Sequence, residues 1–431
     1  MSPFGELWIW NDPALRDCLA WYLDVADNRR PAKFRIATTV PVSVDLDAEG
    51  TDGLWAELER LTPQFLDRLD AVRTGARLEE PTKGPSLLDL VSALAQRMLE
   101  SCNFCQWNCR VDRASATKFG TCKLASGTRV SSFFHHPGEE LVYRGRLGSG
   151  TIFFTSCNMR CAICQNGDIS TDKDNGIEVD ARILATMAWI LRSEGCHNIN
   201  WVGGDPTIHL HTILEAIRLL GRGADRPGRF DVANASLAKA DPLSWTPLDP
   251  AVYTYEGRFN APMLWNSNFF MTEDAMKLLR IVMDVWLPDF KFGPGDCAKT
   301  LARTPWYWDT VTRNLKVIHD WGEPYTIRHL IMPNHVECCT RPVLEWIEEH
   351  LPGAPVNVMD QFHPDTFTDP RSCKYQEKYA ELSRRPTRGE IKQSYRIAQE
   401  LGINFEALTF EKSVWGLGIY PHRRANRVTT K

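Results

Sequence analysis

The sequence predicts an α/β protein whose C-terminal part, residues 148–431, is built on parallel strands. Six short apolar runs rich in β-branched and aromatic residues recur at Thr151–Thr155, Asn198–Val202, Met263–Asn266, Val285–Asp289, Thr326–Met332 and Val356–Asp360. Such runs read as buried strands. Between them lie stretches with helical apolar spacing near Ala181–Glu194, Pro206–Leu220, Glu273–Val282, Tyr307–Trp321 and Arg341–His350, and Arg388–Leu401 adds a last helix. Strands that alternate with helices return to the same end of a sheet and lie parallel. Polar residues then collect just after each strand, where α/β folds gather their reacting groups.

Residues 1–100 predict a mixed α/β extension. Pro13–Ala26, Leu54–Val72 and Ser86–Leu99 have helical spacing, the β-branched stretch Lys33–Leu46 predicts one or two strands, and Thr82-Lys83-Gly84-Pro85 reads as a linker. A packing or oligomerisation role is favoured over a substrate-recognition cap.

Residues 101–147 form a cysteine-rich segment. Cys102, Cys105, Cys109 and Cys122 are spaced C-x2-C-x3-C-x12-C, with Gly120 and Gly127 leaving room for a tight turn. Four thiolates close either a zinc tetrahedron or a second 4Fe–4S cluster, the latter slightly favoured, for structure or electron relay.

The stretch after the first parallel strand carries a second set. Cys157, Cys161 and Cys164 are spaced C-x3-C-x2-C on the loop that follows it. Three thiolates on a four-iron cube leave one iron open, the logic of a catalytic rather than a closed metal site. A zinc site completed by a distant ligand is the alternative. The next strand ends in Gly203-Gly204-Asp205-Pro206, where glycines permit close backbone approach and Asp-Pro starts a helix. The third ends at Asn268, and the fourth places Asp289 and Lys291 on one face, a costly arrangement unless they pair or bind a ligand.

The run Gly148-Ser149-Gly150-Thr151-Ile152-Phe153-Phe154-Thr155-Ser156-Cys157-Asn158-Met159-Arg160-Cys161-Ala162-Ile163-Cys164-Gln165-Asn166 resembles the cluster loop of radical S-adenosylmethionine enzymes. It is most similar to pyruvate formate-lyase-activating-enzyme homologues, and the likeness extends in pieces from about Cys102 to Asn404. The resemblance implies a partial (βα)6 TIM-like barrel, a 4Fe–4S cluster on Cys157, Cys161 and Cys164, and S-adenosylmethionine on its open iron. It implies that the backbone of Gly203-Gly204-Asp205-Pro206 holds the cofactor's amino group and that Asp289 and Lys291 lie near it. Asn268 and His363 are further candidate cofactor contacts, and His329 joins Asp289 and Lys291 as a candidate catalytic group. His335, like His329 and His363, is a candidate for ribose, carboxylate or substrate contacts, whereas His209 and His211 read as structural.

The implied activity is reductive cleavage of S-adenosylmethionine to a 5′-deoxyadenosyl radical, fed by a donor such as a flavodoxin or ferredoxin. The substrate would be a protein glycine, with a peptide or small molecule as the alternative. A non-catalytic iron–sulfur carrier or sensor is the rival class. Cys18, Cys196, Cys297, Cys338, Cys339 and Cys373 show no ligand spacing and read mostly as buried thiols. The insertion at 221–262, rich in Gly, Pro and Asp, predicts a lid or docking element.

The net charge of −4 and the lack of a basic run argue against a nucleic-acid surface. Seven of the 13 cysteines fall in the two sets, which suits metal binding in a reducing cytoplasm rather than a secreted disulfide framework. No run reaches the roughly 18 apolar residues of a membrane span, and Met1–Glu6 lacks a secretion signal's basic and apolar regions.

Overall fold

The computed structural model describes residues 7–223 and 247–411. The part of the predicted insertion at 224–246 lies outside them.

The regular elements of the N-terminal extension are helices joined by turns: α1 (Pro13–Cys18), α2 (Ala20–Ala26), α3 (Lys33–Ala37), α4 (Thr51–Arg73) and α5 (Leu87–Arg97). Asp12 caps α1 by accepting from Leu15 N at 3.0 Å, and Pro13 fills the first helical position. In α4, Leu54, Leu58, Leu61, Phe65, Leu69 and Val72 are buried at spacings of three and four, the signature of one apolar stripe. A reciprocal cap between Ser86 and Asp89 starts α5. The strands expected over Lys33–Leu46 do not form. Every residue from Pro31 to Val40 is buried, so the β-branched content there serves burial on all sides rather than a pleat; the sole ladder contact is a bridge from Pro41 to Ser86.

After β1 (Thr128–His136) and the short α6 (Leu141–Arg144) comes β2 (Ser149–Phe154), then α7 (Gly167–Ser170), β3 (Ile177–Val179), α8 (Ala181–Ser193) and β4 (Ile199–Gly203). The chain continues through α9 (Leu210–Gly221), a small hairpin of β5 (Thr254–Tyr255) and β6 (Arg258–Phe259), β7 (Met263–Ser267), α10 (Glu273–Arg280) and β8 (Val285–Pro288). Then follow α11 (Cys297–Ala302), α12 (Tyr307–Asp320), β9 (Ile327–Leu330), α13 (Arg341–His350), β10 (Val356–Met359), α14 (Arg388–Glu400) and α15 (Glu406–Thr409).

β2, β4, β7 and β8 pair in parallel, as do β9 and β10, and parallel bridges Trp286–Tyr325 and Asp289–Arg328 join the two groups. The result is the expected partial (βα)6 barrel. β1 runs antiparallel along β2 and carries β3 on its other edge, so the sheet is extended on that side rather than closed.

The extension packs against the barrel's N-terminal end. Asp284, just before β8, accepts from Trp21 Nε1, Lys33 N and Met263 N, each at 2.9 Å. Lys33, fully buried, reaches Glu323 just before β9 at 2.7 Å. Ile9, Leu15, Leu19 and Tyr22 cluster with Leu264, Val285 and Leu287 from β7 and β8. An open barrel would leave these strand residues wet; the first two helices cover them. Among the described residues no helix is long and apolar enough to cross a membrane.

Candidate cluster site at the mouth of the barrel

β2 ends where Ser156 takes a left-handed backbone (φ 64°), turning the chain into the cysteine loop. The turn is braced from both sides: Ser156 N donates to Ile169 O at 2.9 Å, and Asp205 N donates to Ser156 O at 3.0 Å. Gly203 (φ +126°) and Gly204 are needed here, because a Cβ would lie 2.2 Å from Phe154 N and 1.7 Å from Ser156 O. The paired glycines thus let the end of β4 press against the start of the cysteine loop. Asp205 then ties two strand ends together, accepting from Thr207 N and from Asn268 N, each at 3.0 Å. Burial pushes its carboxyl up to about 6, against the pull of those hydrogen bonds. Pro206 opens the short helical turn that follows.

Cys157, Cys161 and Cys164 converge. Burial, then the Asp205 carboxylate and the neighbouring Cys161, push the Cys157 thiol well up. Burial pushes Cys161 to about 12 while Lys291 pulls it down. Cys157 and Cys161, both raised by burial and near enough to Cys164 to feel its sulfur, suit a cationic centre that neutralises thiolates, so the donor set fits an iron–sulfur cluster. Asn268 Nδ2 lies 3.6 Å from Cys157 Sγ and donates to Asn158 Oδ1 at 2.7 Å. Cys164 Sγ is 3.2 Å from Ser170 Oγ. Beneath the loop, Arg160 N and Ala162 N donate to Ala302 O and Leu301 O, at 3.1 and 2.6 Å, so the C-terminal end of α11 supports it.

Behind this loop the barrel interior carries a buried polar network. Asp289 accepts from Lys291 Nζ at 2.9 Å and from Arg328 Nε at 3.0 Å. Arg328 also reaches Glu139 at 3.3 Å and Asn266, while Glu139 accepts from Asn200 Nδ2 at 2.8 Å. Burial raises Asp289, but Arg328 and then Lys291 outweigh it and hold its carboxyl below the ordinary range. Burial lowers Lys291, and Asp289 with Cys161 brings it above its ordinary value. Both charges are therefore kept, side by side, next to Cys161. The neighbouring strand presents Arg328 rather than His329 to this network. His329 points to the opposite face, with its ring nitrogens 2.8 Å from Phe290 O and 2.9 Å from Thr340 Oγ1; burial lowers it to about 4. The expectation of a catalytic His329 is not met: it is a fully engaged packing group.

His363 lies farther out, half-buried, in a cleft with Asp369, Arg371 and Arg385. His209 and His211 hold Thr155 O at 2.9 Å and Ser126 O at 2.7 Å.

Cys102, Cys105, Cys109 and Cys122 line one cavity with Phe104, Val111 and Arg113. Three hydrogen bonds fasten this segment to the cysteine loop: Trp107 Nε1 to Asn158 O at 2.7 Å, Ser156 Oγ to Cys122 O at 3.4 Å and Arg160 Nη2 to Thr121 O at 2.6 Å. Arg328, Glu139, Asn200 and Asn266 escaped sequence reasoning. Alternation along Asn198-Ile199-Asn200 and Thr326-Ile327-Arg328 was the signal that could have found two of them.

Residues 151–347 match the family model described as the radical SAM superfamily. An uncharacterized protein of Methanocaldococcus jannaschii is 33% identical over 394 residues, covering 90% of this chain and 98% of that protein. Among solved structures, the chain is similar to Streptococcus suis SuiB bound to its precursor peptide SuiA, with TM-score 0.37 and 9% identity over 57% of this chain and 44% of that one. It is also similar to a domain of pyruvate-formate lyase-activating enzyme from Bacteroides vulgatus, with TM-score 0.26 and 14% identity over 33% of this chain and 78% of that one.

Proposed function

The chain belongs to the radical S-adenosylmethionine superfamily, and from that premise we propose that it cleaves S-adenosylmethionine reductively and abstracts hydrogen from a substrate in the barrel mouth. Cys157, Cys161 and Cys164 would hold a 4Fe–4S cluster, which would supply the single electron, near the low end of a roughly −700 to +450 mV range, that reductive cleavage of the sulfonium needs.

The observation that carries this reading is the convergence of the three thiols beside the retained charges of Asp289 and Lys291. The backbone at Gly203 to Pro206, locked to the cysteine loop, orients the cofactor's amino acid end. Asn268, next to Cys157 Sγ, donates toward that end, and Lys291 offers an ammonium to a carboxylate. His363 borders the outer cleft, where it would be available to the cofactor's far end.

The Cys102, Cys105, Cys109 and Cys122 set would hold a second iron–sulfur cluster, which would supply electron relay from a reduced flavodoxin- or ferredoxin-type donor. Its three hydrogen bonds to the cysteine loop support that role. On this reading residues 1–100 are a packing extension, 101–147 the relay segment and 148–431 the reaction barrel. The substrate follows from the sequence resemblance as the glycine Cα of a partner enzyme, with a peptide or small molecule as the alternative.

Anaerobic incubation of iron–sulfur-reconstituted protein with dithionite and S-adenosylmethionine tests the core of it. 5′-Deoxyadenosine is expected well above a Cys161→Ala control. Equal yields from the two would leave the chain an iron–sulfur carrier or sensor.

A further inference from the structure

Four side chains without recognisable spacing in the sequence come together beside the barrel mouth. Cys297 opens α11, after β8, while His335, Cys338 and Cys339 lie after β9. The local backbone is responsible. Val336–Thr340 is a π-helical turn in which Cys339 N and Thr340 N both donate to His335 O, at 3.0 and 3.2 Å. π-Turns are uncommon and concentrate at functional sites. This one turns the two adjacent cysteines and His335 toward Cys297. Gly293 allows the approach, since a Cβ there would lie 2.1 Å from Cys338 O.

The ligand atoms all lie within 4.8 Å of one another, and among the described residues this is the group with that property. Cys297 Sγ is 3.6 Å from Cys338 Sγ and 3.6 Å from His335 Nδ1. Cys338 Sγ is 4.0 Å from Cys339 Sγ and 3.2 Å from His335 Nδ1. A tetrahedral zinc with Zn–S of about 2.3 Å and Zn–N of about 2.0–2.1 Å requires edges of about 3.8 Å between sulfurs and about 3.6 Å from sulfur to nitrogen. The sulfur–sulfur edges lie on either side of that value, and the sulfur–nitrogen edges lie at it or 0.4 Å below. They are far longer than the ~2.0 Å of a disulfide.

The other nitrogen of the imidazole supplies an independent sign. His335 Nε2 is buried and makes no hydrogen bond, yet it faces Glu381 Oε1 at 3.6 Å. A carboxylate behind the far nitrogen is the usual way a metal-bound histidine is oriented, and metal binding through Nδ1 leaves the proton on Nε2 facing that carboxylate.

We propose that Cys297, His335, Cys338 and Cys339 form a mononuclear zinc site, separate from both the Cys157 and the Cys102 sets. Three thiols lose their protons as the metal binds and the imidazole coordinates in its neutral form. All four positions are filled by protein, so the site is closed and structural. Its consequence runs along α11. Cys297 begins that helix, and Leu301 and Ala302, about 7 Å farther along its axis, carry the carbonyls that hold Ala162 N and Arg160 N. The zinc fixes the helix that supports the cysteine loop. That positioning role rests on the function proposed above; the metal site does not.

The test is a metal count on the full chain, expressed with zinc sulfate and iron and purified anaerobically. A Cys297→Ser/Cys338→Ser/Cys339→Ser variant is expected to lose one zinc per chain and to keep its iron. A Cys102→Ser/Cys105→Ser variant is expected to retain that zinc. Unchanged zinc in the triple variant overturns the proposal. A second measurement needs no variant: Cys338 is exposed, so an unligated thiol there reacts with iodoacetamide. Cys338 is expected to stay unmodified in the native chain and to be alkylated once zinc is chelated. Alkylation without a chelator, or a Cys297–Cys338 disulfide in the mass map, overturns the site. Absence of 5′-deoxyadenosine in the earlier assay leaves these readouts untouched, so the two readings fail separately.

Discussion

Arg328 connects the acids of the barrel interior, contacting Asp289 and Glu139. Its removal takes the Arg328 guanidinium from Glu139 and leaves Asp289 with Lys291 as its cationic partner. Breaking such a buried arrangement from one side costs about 3–5 kcal/mol, because a charge stays behind uncompensated. Arg328→Met is therefore expected to lower the denaturation midpoint strongly, whereas Lys291→Met, which leaves Asp289 paired to Arg328, lowers it much less. Equal losses in the two variants would show that Arg328 is not the hub. Half of this arrangement was legible, since period-two alternation puts Asp289 and Lys291 on one face. The other half was obscured by chemistry. His329 drew notice as a titratable residue type, while the inward position belongs to its neighbour Arg328. Sequence also could not show that Cys297 meets Cys338 and Cys339, because the meeting depends on a π-turn and on adjacent barrel strands.

At the scale of elements, the six parallel strands are readable because burial on both faces makes each a continuous apolar run. β1 is not, because much of it is only half-buried and its sequence, Thr128 to His136, mixes serines and histidines with aromatics. What fixes its far end is partly electrostatic. His135 Nδ1 meets Leu147 O at 2.8 Å and Nε2 meets Glu194 at 2.9 Å, just past the C-terminal end of α8. The hydrogen bond to Glu194 raises His135 above its ordinary value of 6.5, against partial burial. A group raised on folding gives stability that is complete below its unfolded value and is lost as pH rises through its folded value. Stability is thus expected to fall as pH rises upward from about 6.5, with β1 amides exchanging faster at the alkaline end. His135→Gln removes that part of the slope; an unchanged slope in the variant would assign it elsewhere.

Across the whole molecule, the question is whether residues 1–100 are a separate unit or part of the barrel. The apolar stripes of α4 and α5 were legible, but their partner was not, since no local pattern says which surface a stripe will meet. The buried ion pair of Lys33 and Glu323 gives the answer a measurable form. Both side chains are nearly inaccessible, at 0% and 3% exposure, and burial pulls the lysine below its ordinary value while Glu323 pushes it back. Lys33→Met leaves the Glu323 carboxylate buried with Trp286 Nε1, at 3.4 Å, as its remaining side-chain hydrogen-bond partner among the described residues. The expected loss is about 3–5 kcal/mol, and it should fall on the barrel itself because Glu323 lies just before β9. The double variant Lys33→Met/Glu323→Met replaces the pair with apolar groups of similar length and is expected to recover most of the loss. Trp21 and Trp286 both sit at this seam, fully or nearly buried, so tryptophan fluorescence during denaturation reports its opening. One transition that shifts down in the single variant and back in the double one marks the extension as an integral part of the barrel's N-terminal end. Two transitions, with the barrel's midpoint unmoved by Lys33→Met, would make it an independent domain resting on the barrel.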